Sequence, residues 1–327
     1  MYYNFKKLVI IILTFVILMS GISSTVNAGT VSNIKIGDYI LFGSYYGEPI
    51  LWRVINKNAD DSILLFSEKI LCLKPFDAAE SGKNGSTGGS FTTDVYRQKG
   101  GSNNWENSNL REWLNSTEQI VKYTTQPPRK TTAVYGNNQS AYEPGFLTNF
   151  TQAEAAAIQP VMHKSILASI DSSTKEGGTE VLDYEYDLSD TVENYDTAYY
   201  KNVTDKVFLL DEKEIREYVY NRGYECKRIA TDKAGKYAEG TGDTYFLPGD
   251  YWNYWLRAPE AQFSQLVRHV YYDGYVYCHE ADFMAGGVTP ALTLKSAISI
   301  SGGNGTLLSP YTFSYTATPT ANTIPQK

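Results

Sequence analysis

Two blocks of β-type sequence stand at opposite ends of the chain with three helix starts between them, and that order leaves few folds open. Residues 36–42 (IGDYILF), 50–55 (ILWRVI) and 63–70 (ILLFSEKI) are apolar runs separated by Gly/Pro and Asn/Asp breaks, the pattern of a three-stranded meander. Residues 254–257, 266–270, 275–278 and 288–294 repeat that pattern near the other end. Between them Ser108 is placed to cap a helix whose Leu110, Trp113 and Leu114 share one face. Thr151 with Glu154, and Asp211 with Glu214, have capping-box spacing. The first of these helices is closed by Pro160, and the second carries Ile215, Tyr218 and Val219 inward behind a short strand at 207–210. Strands flanking helices predict an α+β fold with a mixed, mainly antiparallel sheet, a few helices and long loop insertions. The two ends are expected to pair in one sheet; two sequential domains split near residue 203 are the alternative.

The remaining segments set compartment and class. Lys6 and Lys7 precede an apolar stretch from Leu8 to Met19, and Val26-Asn27-Ala28 offers a small-x-small cleavage site. Residues 1–28 therefore read as a signal peptide, too short in its apolar part for a spanning helix. Cleavage would take the net charge from −7 to −9, a sign that repels phosphate backbones and excludes nucleic acid as a natural partner. The expected location is extracellular, secreted or loosely associated with the cell wall, with no membrane span after cleavage. Residues 81–102, rich in Gly and Ser, read as a long loop, residues 29–313 as the folded domain and 314–327 as a Thr/Pro tail. Cys72, Cys226 and Cys278 allow at most one internal bridge and match no zinc spacing.

Specific residues carry a family resemblance over most of 36–294. They are Gly37-Asp38-Tyr39-Ile40, Phe42-Gly43, Glu48-Pro49-Ile50, Trp52-Arg53-Val54-Ile55, Leu64-Leu65 and Ser67-Glu68-Lys69. Trp105, Ser108 through Asn115, the 207–210 strand with its helix, Trp255-Leu256-Arg257 with Pro259, Gly287-Val288 and Pro290-Ala291-Leu292 complete the set. With these the chain resembles a bacterial family known only as a domain of unknown function, frequent in exported proteins of Gram-positive bacteria. The late Trp-Leu-Arg strand and the closing Gly-Val-x-Pro-Ala-Leu strand are also similar to C-type lectin-like domains, in particular the branch related to formylglycine-generating enzymes. That resemblance implies a C-type lectin-like single domain. It implies no activity, because one fold hosts many sites. Thr289 stands where that pattern carries Arg, and Ala258 where it carries Ser.

Candidate sites concentrate on the hairpin at Asp273-Gly274. A two-residue loop would pair Tyr272 with Tyr275, Val270 with Tyr277, His269 with Cys278 and Arg268 with His279. Arg268, Val270, Tyr272, Tyr275, Tyr277 and His279 would then share one face, an aromatic ridge suited to sugars or protein partners. The competing reading is a second buried layer. His269 opposite Cys278 would be the one arrangement resembling a base beside a nucleophile. Eight carboxylates and no Lys or Arg occupy residues 176–196, and Asp183, Glu185 and Asp187 alternate as calcium ligands do. Leu188 and Asn194 occupy the EF-hand positions for Gly and Glu, so a solvated acidic loop is expected, with calcium the one cofactor to consider. Glu48-Pro49 is followed by Ile50, not the Asn of sugar-binding lectins. Trp52, Trp113 and Trp255 read as core, Arg53 and Arg257 as partners of carboxylates or carbonyls. The Gly-rich run at 82–89 lacks a phosphate-loop ending. The expected function is non-catalytic recognition of glycan or protein; an enzyme using Cys278 and His269, or a structural cell-envelope domain, are the alternatives.

Overall fold

The computed structural model describes residues 31–78, 94–122, 142–183, 185–190, 192–234 and 249–315. The expected signal segment 1–28, the Gly-rich run 82–89 and all but the first two residues of the tail from 314 lie outside the described residues.

The meander forms as β1 (Tyr39–Tyr45), β2 (Glu48–Lys57) and β3 (Ile63–Ser67), antiparallel throughout. Tyr46 and Gly47 take φ of 50° and 82°, the two positive values a two-residue type I′ turn requires. β4 (Cys72–Leu73) leaves this sheet for another. Where residues 81–102 read as loop, Asp94–Gly100 forms helix α1. No apolar periodicity announces α1 because an ion pair holds it: Arg97 reaches Asp171 at 2.6 Å and the Ser264 carbonyl at 3.1 Å.

Helix α2 (Asn109–Asn115) starts as expected, with Ser108 Oγ accepting from the Arg111 N–H at 3.2 Å and Leu110, Trp113 and Leu114 buried. A short pair, β5 (Val121–Lys122) and β6 (Tyr142–Glu143), follows. Helix α3 (Gln152–Ala157) has both halves of the Thr151/Glu154 capping box. It stops before Pro160 because Ile158 joins a sheet as part of β7 (Ile158–Gln159). Next come β8 (Val161–Ile166) and β9 (Tyr200–Asp205), an antiparallel ladder that the sequence pattern did not announce. β10 (Val207–Phe208) feeds α4 (Glu212–Tyr218), capped by Asp211 and Glu214. The chain closes with β11 (Arg228–Ile229), β12 (Tyr251–Trp252), β13 (Tyr254–Pro259), β14 (Leu266–Val270), β15 (Val276–Glu280), β16 (Gly287–Val288), β17 (Ala291–Leu294), β18 (Ser299–Gly302) and β19 (Thr312–Ser314).

One sheet runs β1-β2-β3-β17-β10, with β7 also on β17; the other runs β15-β14-β13-β16-β4. Pairing of Ile63 with Leu294 through Phe66 with Ala291 joins the two ends of the sequence. β4 lies beside β16 in the second sheet, so strands from both sides of residue 203 share each sheet, which a split there does not allow. The fold is α+β with strands predominating. Among the described residues no helix is long and apolar enough to cross a membrane.

Trp52, Trp105, Trp113 and Trp255 are buried in one contiguous core. Each indole N–H finds an acceptor, as a buried indole must: Phe42 O at 2.8 Å, Asp205 at 2.9 Å, Pro144 O at 3.0 Å and Lys74 O at 2.8 Å. Gly286 is there for space, since a Cβ would stand 2.0 Å from Trp255 Nε1. Arg53 pairs with Glu68 at 2.7 Å. Arg257 donates to the Leu209 carbonyl at 2.7 Å and pairs with Asp211 at 3.1 Å and with Glu214. The capping residues of α4 thus also neutralise the buried guanidinium of β13.

Candidate recognition surface

The hairpin of β14 and β15 has a different register from the one its sequence suggests. Val270 pairs with Val276, His269 with Tyr277, Arg268 with Cys278, and Val267 with His279. The connection is one residue longer than two: the Gly274 N–H donates to Tyr271 O at 2.9 Å, and the Tyr271 N–H donates to Tyr275 O at 2.8 Å. Gly274 takes φ of 95°, so the loop is a turn followed by a left-handed glycine, the three-residue hairpin form. A slip of one residue on one strand exchanges its faces.

That slip corrects two expectations. His269 and Cys278 point to opposite faces, so they do not form a base–nucleophile pair. Burial pushes the Cys278 thiol up to about 11, which disfavours the thiolate at neutral pH, and the His269 imidazole down to about 3, which makes it a weak base. Arg268 does not share a face with Tyr277 and His279. It is fully buried, ion-paired to Glu212 on α4 and donating to Asp183 O at 3.1 Å. His279 is half-buried, stacked on Phe283 with ring centroids 3.9 Å apart.

The three tyrosines of the expected ridge are in solvent: Tyr272 is 50% exposed, Tyr275 45% and Tyr277 37%. Two of them, Tyr272 and Tyr277, stand on a relay of packed rings. Tyr271 contacts Tyr272 at 4.1 Å and Tyr277 at 5.3 Å, and lies 5.8 Å from His269, which in turn meets Trp255 at 6.0 Å. The exposed rim is therefore seated on the core.

The acidic segment lies against this hairpin. The Val276 N–H donates to Tyr186 O at 2.8 Å, and the Tyr186 and Tyr277 rings meet edge to face at 5.8 Å. Asn194, the residue in the EF-hand's Glu position, is buried and ties its own loop, accepting from the Asp183 N–H at 2.9 Å and donating to Val181 O. The Ser189 N–H at 2.8 Å holds the Asp187 carboxyl below the usual range. Among the described residues no three His, Cys, Asp or Glu side chains converge as a metal site. Between the segment, the hairpin tip and the stretch after α4 opens a cleft of about 580 Å³, lined by Asp187, Tyr220, Glu225, Lys227, Asp273 and Tyr275 among others. Tyr220 and Tyr251 are exposed beside it. Tyr186, Tyr220 and Tyr251 escaped the sequence reading; the one signal for them was 27 tyrosines against 13 phenylalanines.

Elsewhere the titratable groups tie the structure together. His163, which had no visible partner in sequence, sits on β8 with Nε2 3.0 Å from Asp205 Oδ2. Asp205 also accepts from Trp105 Nε1 and, at 2.6 Å, from Arg111 Nε. All three cysteines are free.

No curated protein and no solved structure matches the chain. A family model described as a domain of unknown function, DUF6273, matches residues 60–296, from the β2–β3 turn to just beyond β17. The chain belongs to that family.

Proposed function

We propose that this chain is an exported, non-catalytic recognition module of C-type lectin-like fold, acting outside the cell or at the cell wall and binding glycan or protein through the hairpin tyrosines. The observation that carries the reading is the exposure of Tyr272, Tyr275 and Tyr277 on a hairpin anchored to the core through Tyr271 and His269. Large aromatics held in water by a rigid support give contact area at little cost in side-chain entropy. The lectin-like assignment draws on the sheet shared by the two ends of the chain and on the burial of Trp255-Leu256-Arg257 beside the closing strands. Export draws on residues 1–28.

The test is binding to a glycan array and to isolated cell-wall material, comparing the unaltered chain with a Tyr272→Ala/Tyr275→Ala variant. The reading expects retention by at least one of these, lost in the variant while the urea unfolding curve is unchanged. Retention indifferent to the two substitutions refutes it.

A further inference from the structure

We infer that the cleft and its tyrosine rim bind a Lys- or Arg-rich segment of a partner protein, a deepening that rests on the recognition reading above. Three observations converge on a cationic occupant.

The first is charge. Residues 176–196 hold eight carboxylates and no Lys or Arg. Among the described residues, none of Asp183, Glu185, Asp187, Asp190 or Glu193 has a cation within ion-pair distance. Glu68, Asp171, Asp205 and Glu212, by contrast, each have a cation within ion-pair distance. Asp273 on the hairpin likewise has only the Tyr275 N–H, at 3.0 Å, and the Tyr277 hydroxyl, at 3.5 Å. Three carboxylates, Asp187, Glu225 and Asp273, line the cleft against one cation, Lys227, and such an excess of one sign concentrates and steers the opposite sign.

The second is the use this protein makes of tyrosine faces. Lys164 Nζ lies 4.9 Å from the centroids of both Tyr195 and Tyr200, and Lys175 Nζ 4.0 Å from that of Tyr199. An ammonium over an aromatic face is attracted by the ring quadrupole. Among the described residues no internal cation lies over Tyr272, Tyr275 or Tyr277.

The third is an example at the cleft, whose lining includes Lys227 and Glu225. Lys227 Nζ sits 4.6 Å from the Tyr251 centroid and 3.6 Å from Glu225. Tyr275, Asp273 and Asp187 line the same cleft and bring a second ring and two further carboxylates to it. A neutral sugar would use the rings but not the charge, and an anionic partner would be repelled by it.

The experiment is fluorescence anisotropy of a labelled octalysine peptide with the full chain, with octaglutamate and a neutral Gly-Ser peptide as controls. Binding of octalysine alone, weakening as NaCl rises, is expected. Tyr275→Ala/Tyr277→Ala should weaken it about 5- to 30-fold. Asp187→Asn and Asp273→Asn should each weaken it about 2- to 5-fold and flatten the salt dependence. Circular dichroism melts of the variants should overlay that of the unaltered chain. No octalysine binding, or binding indifferent to these substitutions, overturns the inference. If octalysine fails while the array finds a tyrosine-dependent glycan, the cationic inference falls and the recognition reading stands. If neither ligand binds, both fall.

Discussion

Replacing Arg268 by Met tests the hairpin register through stability. The Arg268 and Glu212 side chains are 0% and 2% exposed, and Arg268 also donates to Asp183 O at 3.1 Å. Arg268→Met leaves the Glu212 carboxylate buried, with Arg216 at 3.5 Å as its remaining cation. Burial already raises the Glu212 carboxyl against the pull of Arg268, so the loss falls on a group that tolerates ionisation poorly. Removing one member of a buried pair costs about 3–5 kcal/mol, whereas replacing both by apolar groups is close to neutral. With about 2.1 cal/mol/K per residue over roughly 280 residues, the unfolding entropy is about 0.6 kcal/mol/K, so the melting temperature should fall by about 5–8 °C. Glu212→Leu should cost a similar amount. Arg268→Met/Glu212→Leu should return to within about 1–2 kcal/mol of the unaltered chain, the signature of coupled sites. Urea unfolding followed by tryptophan fluorescence at pH 7 measures all four forms. A loss below about 1 kcal/mol for Arg268→Met, or simple additivity of the two single changes, refutes the pairing and with it the register. Were Arg268 on the tyrosine face, the same substitution would weaken ligand binding and leave the unfolding curve in place.

Two further outcomes follow from the same hairpin. The His269 imidazole is held down at about 3 by burial, against 6.5 when unfolded, so its stabilising effect is complete above about 6.5 and declines as pH falls toward 3. Between pH 6 and pH 4 the unaltered chain should lose about 2–3 kcal/mol more than His269→Phe does, read by urea unfolding at both values; equal losses would show that the ring is protonated in the fold. Burial pushes the Cys278 thiol up to about 11, so iodoacetamide at pH 7.5 should alkylate it at least tenfold more slowly than free cysteine; labelling at the free rate, followed by mass spectrometry, would contradict that environment.

What the sequence disclosed and what it withheld divide along a physical line. Local signals were readable: the caps at Ser108, Thr151 and Asp211 each depend on residues three apart, and the core positions of Trp52, Trp113 and Trp255 follow from the apolar runs around them. The ladder of β8 and β9 was not, because its partners lie more than thirty residues apart and neither strand alternates strictly. α1 was missed because a distant carboxylate, Asp171, holds it through Arg97 rather than an apolar stripe. At the site, Asp273-Gly274 correctly announced a hairpin. Whether Gly274 occupied the second or third loop position was not written in the dipeptide, and that single step decided which face received Arg268, Tyr277 and His279. The exposure of the three tyrosines depended on where the described parts of residues 176–196 and of the stretch after α4 were placed, which no local pattern carries.

The pairing of β3 with β17 has a consequence during synthesis. Until Ala291–Leu294 has been made, the hydrogen-bonding flank of Ile63–Ser67 that will receive it is unsatisfied, although the meander is among the first segments translated. Nascent chains would therefore present a sticky apolar ribbon for most of their production, and truncated products lacking the last quarter should precipitate or be captured by holding chaperones rather than persist as a smaller folded unit.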